Sequence, residues 1–300
     1  MQQVTVRVPA STSNLGPGFD CLGVALRIYN RVTVTKEASS EQLYPQIVSD
    51  AAGRFFKQLR RRSFRFSVST LEKIPRSRGV GSSATVRLGT LEGLNQLSGA
   101  PLDRPALFRM CAELEGHPDN AAPAAFGGFT VVSGSPVRRN WLRPALPGLQ
   151  RFAVSPRLYF VLLVPSLEIP TSTARKLLPS KISHSTAVEN CGNACGITAA
   201  FASRKYEGMR GLFVDFVHQP FRAKLIPFLA PVIAAAEKAG ALGAFLSGSG
   251  SIICAVTLQD PSRIAAGMKR SIGSRLSHIM ITRADNRGAH LIHHGLAAAD

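Results

Sequence analysis

The segment Gly79-Val-Gly-Ser-Ser83 constrains the fold most, because two glycines and two serines stand just before an apolar stretch of helical period. Glycine lets the backbone turn sharply and approach a ligand closely. The first N–H groups of a helix have no intrahelical partner and lie at the positive end of its dipole. The segment therefore predicts an anion site at a helix start, where Ser82 and Ser83 offer hydroxyls to phosphate or a metal. A glycine turn before a serine-capped helix fits the same residues.

This segment is not one of the two commonest nucleotide motifs. The sequence contains neither G-x-x-x-x-G-K-[ST] nor a strand followed by G-x-G-x-x-G and a helix. Arg76, Arg78 and Arg87 lie close to it along the chain and strengthen the positive charge. A phosphate site at this loop would therefore belong to neither of the folds that those two motifs specify, and the capped helix fits the loop alone equally well.

Two further polar clusters accompany the loop. Within eight residues, the chain carries Glu113, Glu115, His117, Asp119 and Asn120. Such a cluster can bind Mg²⁺ through a carboxylate and orient a polar substrate, although a solvated turn is the simpler alternative. The second cluster, Ser247-Gly-Ser-Gly250, joins two apolar strands and by itself is an ordinary hairpin turn.

Hydrophobic periodicity predicts a mixed α+β chain. Pro9 is expected to end the first strand, and residues 11–18 are expected to form a loop. The predicted strands are 4–8, 29–36, 64–69, 129–132, 158–164, 244–246, 252–256, 278–282 and 288–292. The predicted helices are 50–61, 86–97, 105–114, 171–178, 186–203, 222–239 and 262–271. The Pro-, Arg- and Gly-rich segment 136–156 predicts a boundary between domains 1–150 and 151–300.

Composition limits the partners and the compartment. The net charge of +18 permits nucleic-acid binding, but no zinc-finger spacing or RNP-type motif accompanies it, so we expect no specific nucleic-acid partner. No apolar run approaches the roughly 20 residues that span a bilayer, and the N-terminus lacks a secretory pattern, so we expect no membrane association. The five cysteines form no C-x-x-C pair, which is typical of reduced cytoplasmic thiols. Cys191 and Cys195 are expected to be small buried residues.

Three motifs resemble those of the GHMP kinases in order and separation. Pro75–Thr85 (PRSRGVGSSAT) resembles the family's nucleotide loop, and Gly243–Gly250 (GAFLSGSG) resembles its third motif. Within that superfamily, Val8–Leu26 (VPASTSNLGPGFDCLGVAL) and Glu115–Thr130 (EGHPDNAAPAAFGGFT) are similar to the homoserine kinase family. The resemblance runs to about residue 255 and so covers most of the chain.

The resemblance implies a two-domain α+β fold. The N-terminal domain would be ribosomal-S5-like with a left-handed βαβ crossover, which is unusual, and the C-terminal domain would be ferredoxin-like. It also implies transfer of the γ-phosphate of ATP, with Mg²⁺, to the hydroxyl of L-homoserine in threonine biosynthesis. Relatives of this kind suggest a homodimer.

Position by position, the resemblance also implies roles for individual residues. The residues implied for ATP binding are Pro75, Arg76, Ser77, Arg78, Gly79, Val80, Gly81, Ser82, Ser83, Ala84 and Thr85. Those implied for substrate binding are Asn14, Asp20, His117, Asp119, Arg175 and Arg222, and those implied for catalysis are His117, Asp119 and Asn120. Ser247, Gly248, Ser249 and Gly250 are implied to support the phosphate site. Mg²⁺ is implied to bind Ser83 together with Glu113 or Glu115, and the sequence does not decide between these two glutamates.

The chemistry of these residue types agrees with an amino-acid substrate. A guanidinium binds a carboxylate through two hydrogen bonds, and a carboxylate such as Asp20 or Asp119 binds an ammonium. Phosphoryl transfer needs positioning and charge neutralisation more than a strong base. We therefore expect in-line attack by the substrate hydroxyl, oriented by Asn120, without a dedicated aspartate base.

The chain departs from the family pattern at a few positions. Val80 replaces the usual Leu, Thr85 stands where Ala is common, and Ser251 and Ile252 follow the third motif where Pro-Thr or Pro-Ser is frequent. These changes affect the fine geometry of the nucleotide loop. Two alternatives stay open: a GHMP kinase for another small alcohol, and a catalytically silent relative that regulates or binds nucleic acid.

Overall fold

The computed structural model describes residues 2–36, 44–133 and 148–292. Its strands are β1 (Gln3–Ser13), β2 (Leu22–Lys36), β3 (Phe66–Leu71), β4 (Phe129–Val132), β5 (Leu149–Phe152), β6 (Tyr159–Pro165), β7 (Gly243–Leu246), β8 (Ile253–Thr257), β9 (Ser277–Arg283) and β10 (His290–Ile292). Its helices are α1 (Gln46–Leu59), α2 (Ser82–Leu97), α3 (Arg104–Glu115), α4 (Ala121–Phe126), α5 (Thr171–Lys176), α6 (His184–Ser203), α7 (Gln219–Arg222), α8 (Leu229–Lys238) and α9 (Pro261–Ser271). None of these helices combines the length and apolar character needed to cross a bilayer.

The first sheet has the strand order β10-β1-β2-β4-β5, and β3 also pairs with β2. β3 pairs with residues 31–36 of β2, and β4 pairs with residues 22–24, on the edge that β1 leaves open. Both strands run antiparallel to β2, so they are parallel to each other. Helices α2, α3 and α4 form the crossover between them. The left-handed sense implied for this crossover stays a prediction.

The second sheet has the strand order β7-β8-β6-β9, and its neighbours are antiparallel. In chain order, helices separate β6 from β7, a hairpin joins β7 to β8, and α9 connects β8 to β9. This β-α-β-β-α-β order is the ferredoxin-like arrangement that the resemblance implied.

The first strand is longer than the sequence predicted. The prediction that Pro9 ends it is wrong, because β1 continues to Ser13. Of the predicted loop 11–18, residues 11–13 belong to the strand and residues 14–18 lie in the turn that follows it. The register with β2 shifts between Pro9 and Ala10. Such an irregularity accommodates the missing N–H of proline without ending the strand. As a result, β1 carries Ser11 and Ser13 to the turn that contains Asn120.

Two helices also differ from their predicted bounds. α2 begins at Ser82 and not at Val86, because small and polar residues fill its first turn and hide the apolar period there. The predicted helix 222–239 is divided into α7, a 3-10 turn over 223–225, and α8. Pro227 separates the parts, whereas Pro231 lies in the first turn of α8, where its missing N–H costs no hydrogen bond.

Two strands that lie at or beyond the middle of the chain belong to the first sheet. β5 spans the predicted division between residues 150 and 151 and pairs with β4. β10 returns to the first sheet and pairs with β1. Of the predicted boundary segment 136–156, residues 136–147 lie outside the described residues. The domain limits 1–150 and 151–300 stay a prediction.

Helix α6 turns small residues toward solvent. The expectation that Cys191 and Cys195 are buried is wrong, because both are exposed. The opposite face, with Ile197 and Phe201, packs into the core. Spacing by four places the two thiols on one face, and it did not reveal that this face is the outer one.

One apolar core joins the sheets. The rings of Phe129 in β4 and Phe201 in α6 stack with centroids 4.1 Å apart. Phe160 of β6, Phe245 of β7 and Val24 of β2 belong to the same cluster and are fully buried. Because close-packed interiors fix the elements around them, this core sets how the two sheets face each other.

We expect Phe201→Ala to lower the free energy of unfolding by about 3–5 kcal/mol, because it leaves a cavity at the Phe129 stack. Urea denaturation followed by circular dichroism measures the change. Glu189→Gln, also exposed on α6, is the control and should change the free energy by less than about 0.5 kcal/mol. A loss below about 1 kcal/mol for Phe201→Ala would contradict the shared core.

Candidate active site

A cavity of about 560 Å³ lies where elements of both sheets meet, a volume typical of small-molecule sites. The start of α2, the turn before α4, the β1–β2 loop, α5 and α7 all contribute to its wall. The residues predicted from the sequence that line it are Asn14, Asp20, Arg76, Ser77, Arg78, Gly79, Gly81, Ser82, Ser83, Glu115, His117, Asp119, Asn120, Arg175, Arg222, Gly248 and Ser249. The loop and the acidic turn therefore share one cleft.

The other predicted site residues do not line this cavity. They are Pro75, Val80, Ala84, Thr85, Glu113, Ser247 and Gly250. Val80, Ala84 and Thr85 are buried beneath the loop, where the Thr85 hydroxyl donates to the Ser82 carbonyl at 2.7 Å. Ser247 contacts the loop directly, because its hydroxyl donates to the Gly79 carbonyl.

Two glycines bring the loop into direct contact with its neighbours. Gly79 has a φ of +83°, and a Cβ there would lie 2.0 Å from the Ser247 carbonyl oxygen. Gly81, at the start of α2, has a φ of +70°, and a Cβ there would lie 2.9 Å from Oδ1 of Asn120. Any other residue at these positions would meet both a steric clash and an unfavourable backbone conformation. The glycines are therefore required by close packing as well as by the turn.

Hydrogen bonds fix the loop against the third motif. The Ser247 hydroxyl donates to the Gly79 carbonyl at 2.7 Å and also bonds with the Thr12 hydroxyl at 2.9 Å. The backbone N–H of Ile252 donates to the Arg78 carbonyl at 3.2 Å. These bonds bring the two motifs together across the boundary between the sheets. The hairpin turn at 247–250 is thus part of the phosphate-loop structure.

Strand β1 holds the side chain of Asn120 from both ends. The Ser11 hydroxyl donates to Oδ1 of Asn120 at 2.8 Å, and Nδ2 of Asn120 donates to the Ser13 hydroxyl at 3.0 Å. Asn120 is buried, and it lies against Gly81. Its position at the start of α2 is therefore fixed by neighbours that the sequence places far away.

The two candidate metal-binding glutamates have different partners in the structure. Oε2 of Glu115 accepts a hydrogen bond from the Ser83 hydroxyl at 2.7 Å, and Glu115 is also paired with Arg87. Glu113 points elsewhere and pairs with Arg54 at 2.9 Å. Ser83 and Glu115 offer oxygen atoms beside the positive start of α2, which is a donor set that suits Mg²⁺. Glu113 takes no part in this set.

His117 and Asp119 form a buried ion pair, with Nδ1 2.7 Å from the carboxylate. Burial by itself would lower the pKa of His117, but the charge of Asp119 and the hydrogen bond outweigh it and raise the pKa. Burial would likewise raise the pKa of Asp119, yet His117 and a hydrogen bond from Ser13 lower it. Both shifts favour an imidazolium beside a carboxylate.

A second ion pair joins the β1–β2 loop to α5. The guanidinium of Arg175 donates to both oxygens of Asp20, at 2.6 and 3.0 Å. Ligand atoms of Asp20, His117 and Asp119 all lie within 4.8 Å of one another. This end of the cavity therefore offers carboxylates beside a guanidinium.

Arg222 is a second guanidinium at this end, and only 2% of its surface is exposed. Its hydrogen-bond partners among the described residues are neutral, since it donates to the Gly248 carbonyl at 2.8 Å and to the His218 ring. Burial, and then the charge of Arg175, lower the pKa of Arg222 to about 10, so the group stays charged at neutral pH. A buried cation with neutral partners favours an anionic ligand.

The sequence reasoning missed several parts of the cavity. Phe19 contacts both guanidiniums, with its ring centroid 5.4 Å from the Arg175 and 5.2 Å from the Arg222 guanidinium carbon. Its place next to Asp20 in the first motif was a signal that could have revealed it. Val48 and Val68 give the cavity an apolar wall, and the hydrophobic periodicity of the sequence did not indicate this role.

Two models of known protein families match separate parts of this chain. Residues 46–128 match the model of the GHMP kinases N terminal domain, and residues 198–273 match that of the GHMP kinases C terminal domain. The first range contains the glycine loop and the acidic turn, and the second contains the third motif.

Individual proteins match over nearly the whole chain. The homoserine kinase of Carboxydothermus hydrogenoformans is 33% identical over 95% of this chain and 96% of its own length. The crystal structure of homoserine kinase from Cytophaga hutchinsonii superposes with a TM-score of 0.85 at 26% identity, covering 97% of this chain and 98% of that one. Mevalonate kinase from Methanococcus jannaschii, at 14% identity and a TM-score of 0.68 over 94% and 98% of the two chains, shares the fold.

The expected two-domain α+β fold is thereby confirmed, and so is the resemblance that the motifs carried. With this identity over almost its entire length, the chain belongs to the homoserine kinase family of the GHMP kinases.

Proposed function

We propose that this protein transfers the γ-phosphate of ATP to the side-chain hydroxyl of L-homoserine, which gives O-phospho-L-homoserine for threonine biosynthesis. One observation carries the proposal: a single cavity joins a glycine-lined helix start to a cluster that carries both carboxylates and guanidiniums. The first part suits a nucleotide phosphate tail, and the second suits an amino acid. The names of its relatives support the same reaction.

The phosphates of ATP would bind at the start of α2. Its unpaired N–H groups and dipole favour anions, and Gly79 and Gly81 leave room for close approach. Arg76 and Arg78 line the same part of the cavity. The base would lie against the apolar wall formed by Val48 and Val68, a surface suited to a planar aromatic group.

L-Homoserine would bind at the opposite end. Its carboxylate would face Arg175 and Arg222, and its ammonium would face Asp20 and Asp119. Asp20 and Arg175 already pair with each other, so a ligand that carries both charges can exchange with both partners of the pair. An alcohol with no charges, or with only one, leaves at least one of them unmatched.

Chemistry at this site depends on position and charge. Asn120, held by Ser11 and Ser13, would orient the attacking hydroxyl in line with the γ-phosphate. Asp119 is engaged with His117 and is not poised as a free base. Mg²⁺ held by Ser83 and Glu115 would neutralise charge on the phosphates when bound.

Two further parts of the proposal concern the setting of the enzyme. We propose that it works in the cytoplasm, and its cysteines, which are all free thiols, are typical of a reducing compartment. We also propose a homodimer, for which the outward stripe of α6 (Val188, Cys191, Cys195 and Ala199) offers an apolar face.

The substrate is tested by ADP release from Mg·ATP with L-homoserine, mevalonate, galactose or no acceptor, measured side by side with ³¹P NMR of the product. We expect turnover with L-homoserine at least about a hundredfold above the others, because the paired charges select a zwitterion. Turnover only with mevalonate or galactose would support a kinase for another alcohol. The absence of turnover with every acceptor would support a silent relative.

The metal site is tested by a matched pair of substitutions on α3. We expect Glu115→Gln to raise the Mg²⁺ concentration for half-maximal activity about tenfold or more, because it removes a charged ligand beside Ser83. Glu113→Gln is the control and should change that concentration less than twofold, since Glu113 pairs with Arg54. The reverse ranking would assign the metal to Glu113.

The dimer is tested by light scattering after size-exclusion chromatography. We expect the wild type to have twice the chain mass and Val188→Glu to shift it to the monomer, because a charge would be buried in the interface. Glu189→Gln, next to it on α6, should remain a dimer. A monomeric wild type would contradict the proposal.

A further inference from the structure

We infer that His218 is a positioning residue, which fixes the guanidinium of Arg222 so that it receives the carboxylate of the amino-acid substrate. The inference rests on the proposed function, because it concerns the amino-acid end of the same cavity. His218 lies outside the sequence motifs, it does not line the cavity, and its surface is fully buried. It therefore acts through Arg222.

The imidazole of His218 bridges the Arg222 guanidinium and the β1–β2 loop. Nη1 of Arg222 donates to Nδ1 of His218 at 3.3 Å and also to the Gly248 carbonyl at 2.8 Å. On the other side of the ring, Nε2 of His218 donates to the Gly16 carbonyl at 2.9 Å. One side chain thus ties the guanidinium to the loop that also presents Asn14 and Asp20.

These contacts determine where the proton sits. Nδ1 accepts from Arg222, so it carries no hydrogen, and the single ring proton is on Nε2. Burial, more than any other influence, lowers the pKa of His218 to about 4, so the ring is neutral at physiological pH. A neutral ring orients Arg222 without cancelling its charge. The full positive charge remains available to an anion.

A short turn holds His218 itself. The carboxylate of Asp215 accepts hydrogen bonds from three successive backbone N–H groups, those of Val217, His218 and Gln219, at 3.1, 2.9 and 2.6 Å. The side-chain oxygen of Gln219 accepts from the N–H of Leu246, at the end of β7, at 2.6 Å. The start of α7 is thus fixed to the strand that forms the first half of the third motif.

Aromatic packing adds a third restraint. The ring of Phe19 stacks on His218 with centroids 5.2 Å apart, and the same ring centroid lies 5.2 Å from the guanidinium carbon of Arg222 and 5.4 Å from that of Arg175. Two guanidiniums that face one ligand repel each other, and their spacing depends on the contacts that hold each of them in place. His218 and Phe19 together hold Arg222 at one distance and in one orientation, so a planar carboxylate can meet both cations.

The test compares two substitutions of His218. Phenylalanine keeps a ring that stacks on Phe19 but removes both nitrogens, whereas glutamine keeps one donor and one acceptor. We expect His218→Phe to raise KM for L-homoserine about tenfold or more, and KM for ATP less than twofold, because a hydrogen bond to a charged group is lost. His218→Gln should recover most of that loss. Calorimetric titration with L-homoserine gives the same comparison without turnover.

A structural role alone would produce another pattern. Asn286→Leu serves as the control, because Asn286 ties its amide to both backbone groups of Val154, at 2.9 Å each, and does not line the cavity that Arg222 lines. It should lower Tm and leave both KM values unchanged. L-Homoserinol, which lacks the carboxylate, should bind the wild type and His218→Phe equally.

The inference is overturned if His218→Phe raises both KM values alike, lowers only Tm, or weakens L-homoserinol as much as L-homoserine. It is also overturned if His218→Gln is no better than His218→Phe. If the wild type neither binds nor phosphorylates L-homoserine, the proposed function fails and the role of His218 fails with it. Normal wild-type turnover with an unaffected His218→Phe rejects the role of His218 alone.

Discussion

The close approach of Gly79 and Gly81 to their neighbours is the constraint on which the site depends. With no side chain in the way, the loop lies directly on the Ser247 carbonyl and beside Asn120. The same contacts bring the start of α2, the acidic turn and the third motif into one cavity, although Ser247 lies 168 residues beyond Gly79 in the sequence. The anion preference of a helix start becomes useful here only because the rest of the site is assembled around it.

Charge divides the cavity into two chemically different ends. Around α2, the helix dipole and arginines favour a polyanion, with Ser83 and Glu115 as oxygen donors for a divalent cation. At the far end, carboxylates and guanidiniums lie together, and Arg222 is a buried cation whose hydrogen-bond partners in the described part of the chain are neutral. Under the proposed function, a phosphate donor and a zwitterionic acceptor would find complementary surfaces in this one space.

The sequence predicted the parts of this site that carry local signals. Glycines, serines and the Glu-to-Asn turn stand out because their residue types and spacing are unusual, and the structure brings them together as expected. Long-range packing explains what it missed. Nothing local shows that Pro9 lies inside a strand, that Glu113 turns toward Arg54, or that an isolated His218 touches Arg222. Those outcomes depend on neighbours that are distant in sequence.

The most direct measurement is a crystal structure with a non-hydrolysable ATP analogue, Mg²⁺ and L-homoserine bound together. The account predicts that the terminal phosphate lies at the start of α2 near Ser83, with the substrate hydroxyl facing it beside Asn120. The amino-acid carboxylate should lie between Arg175 and Arg222. A nucleotide bound away from residues 79–83, or an amino acid bound outside the shared cavity, would contradict it.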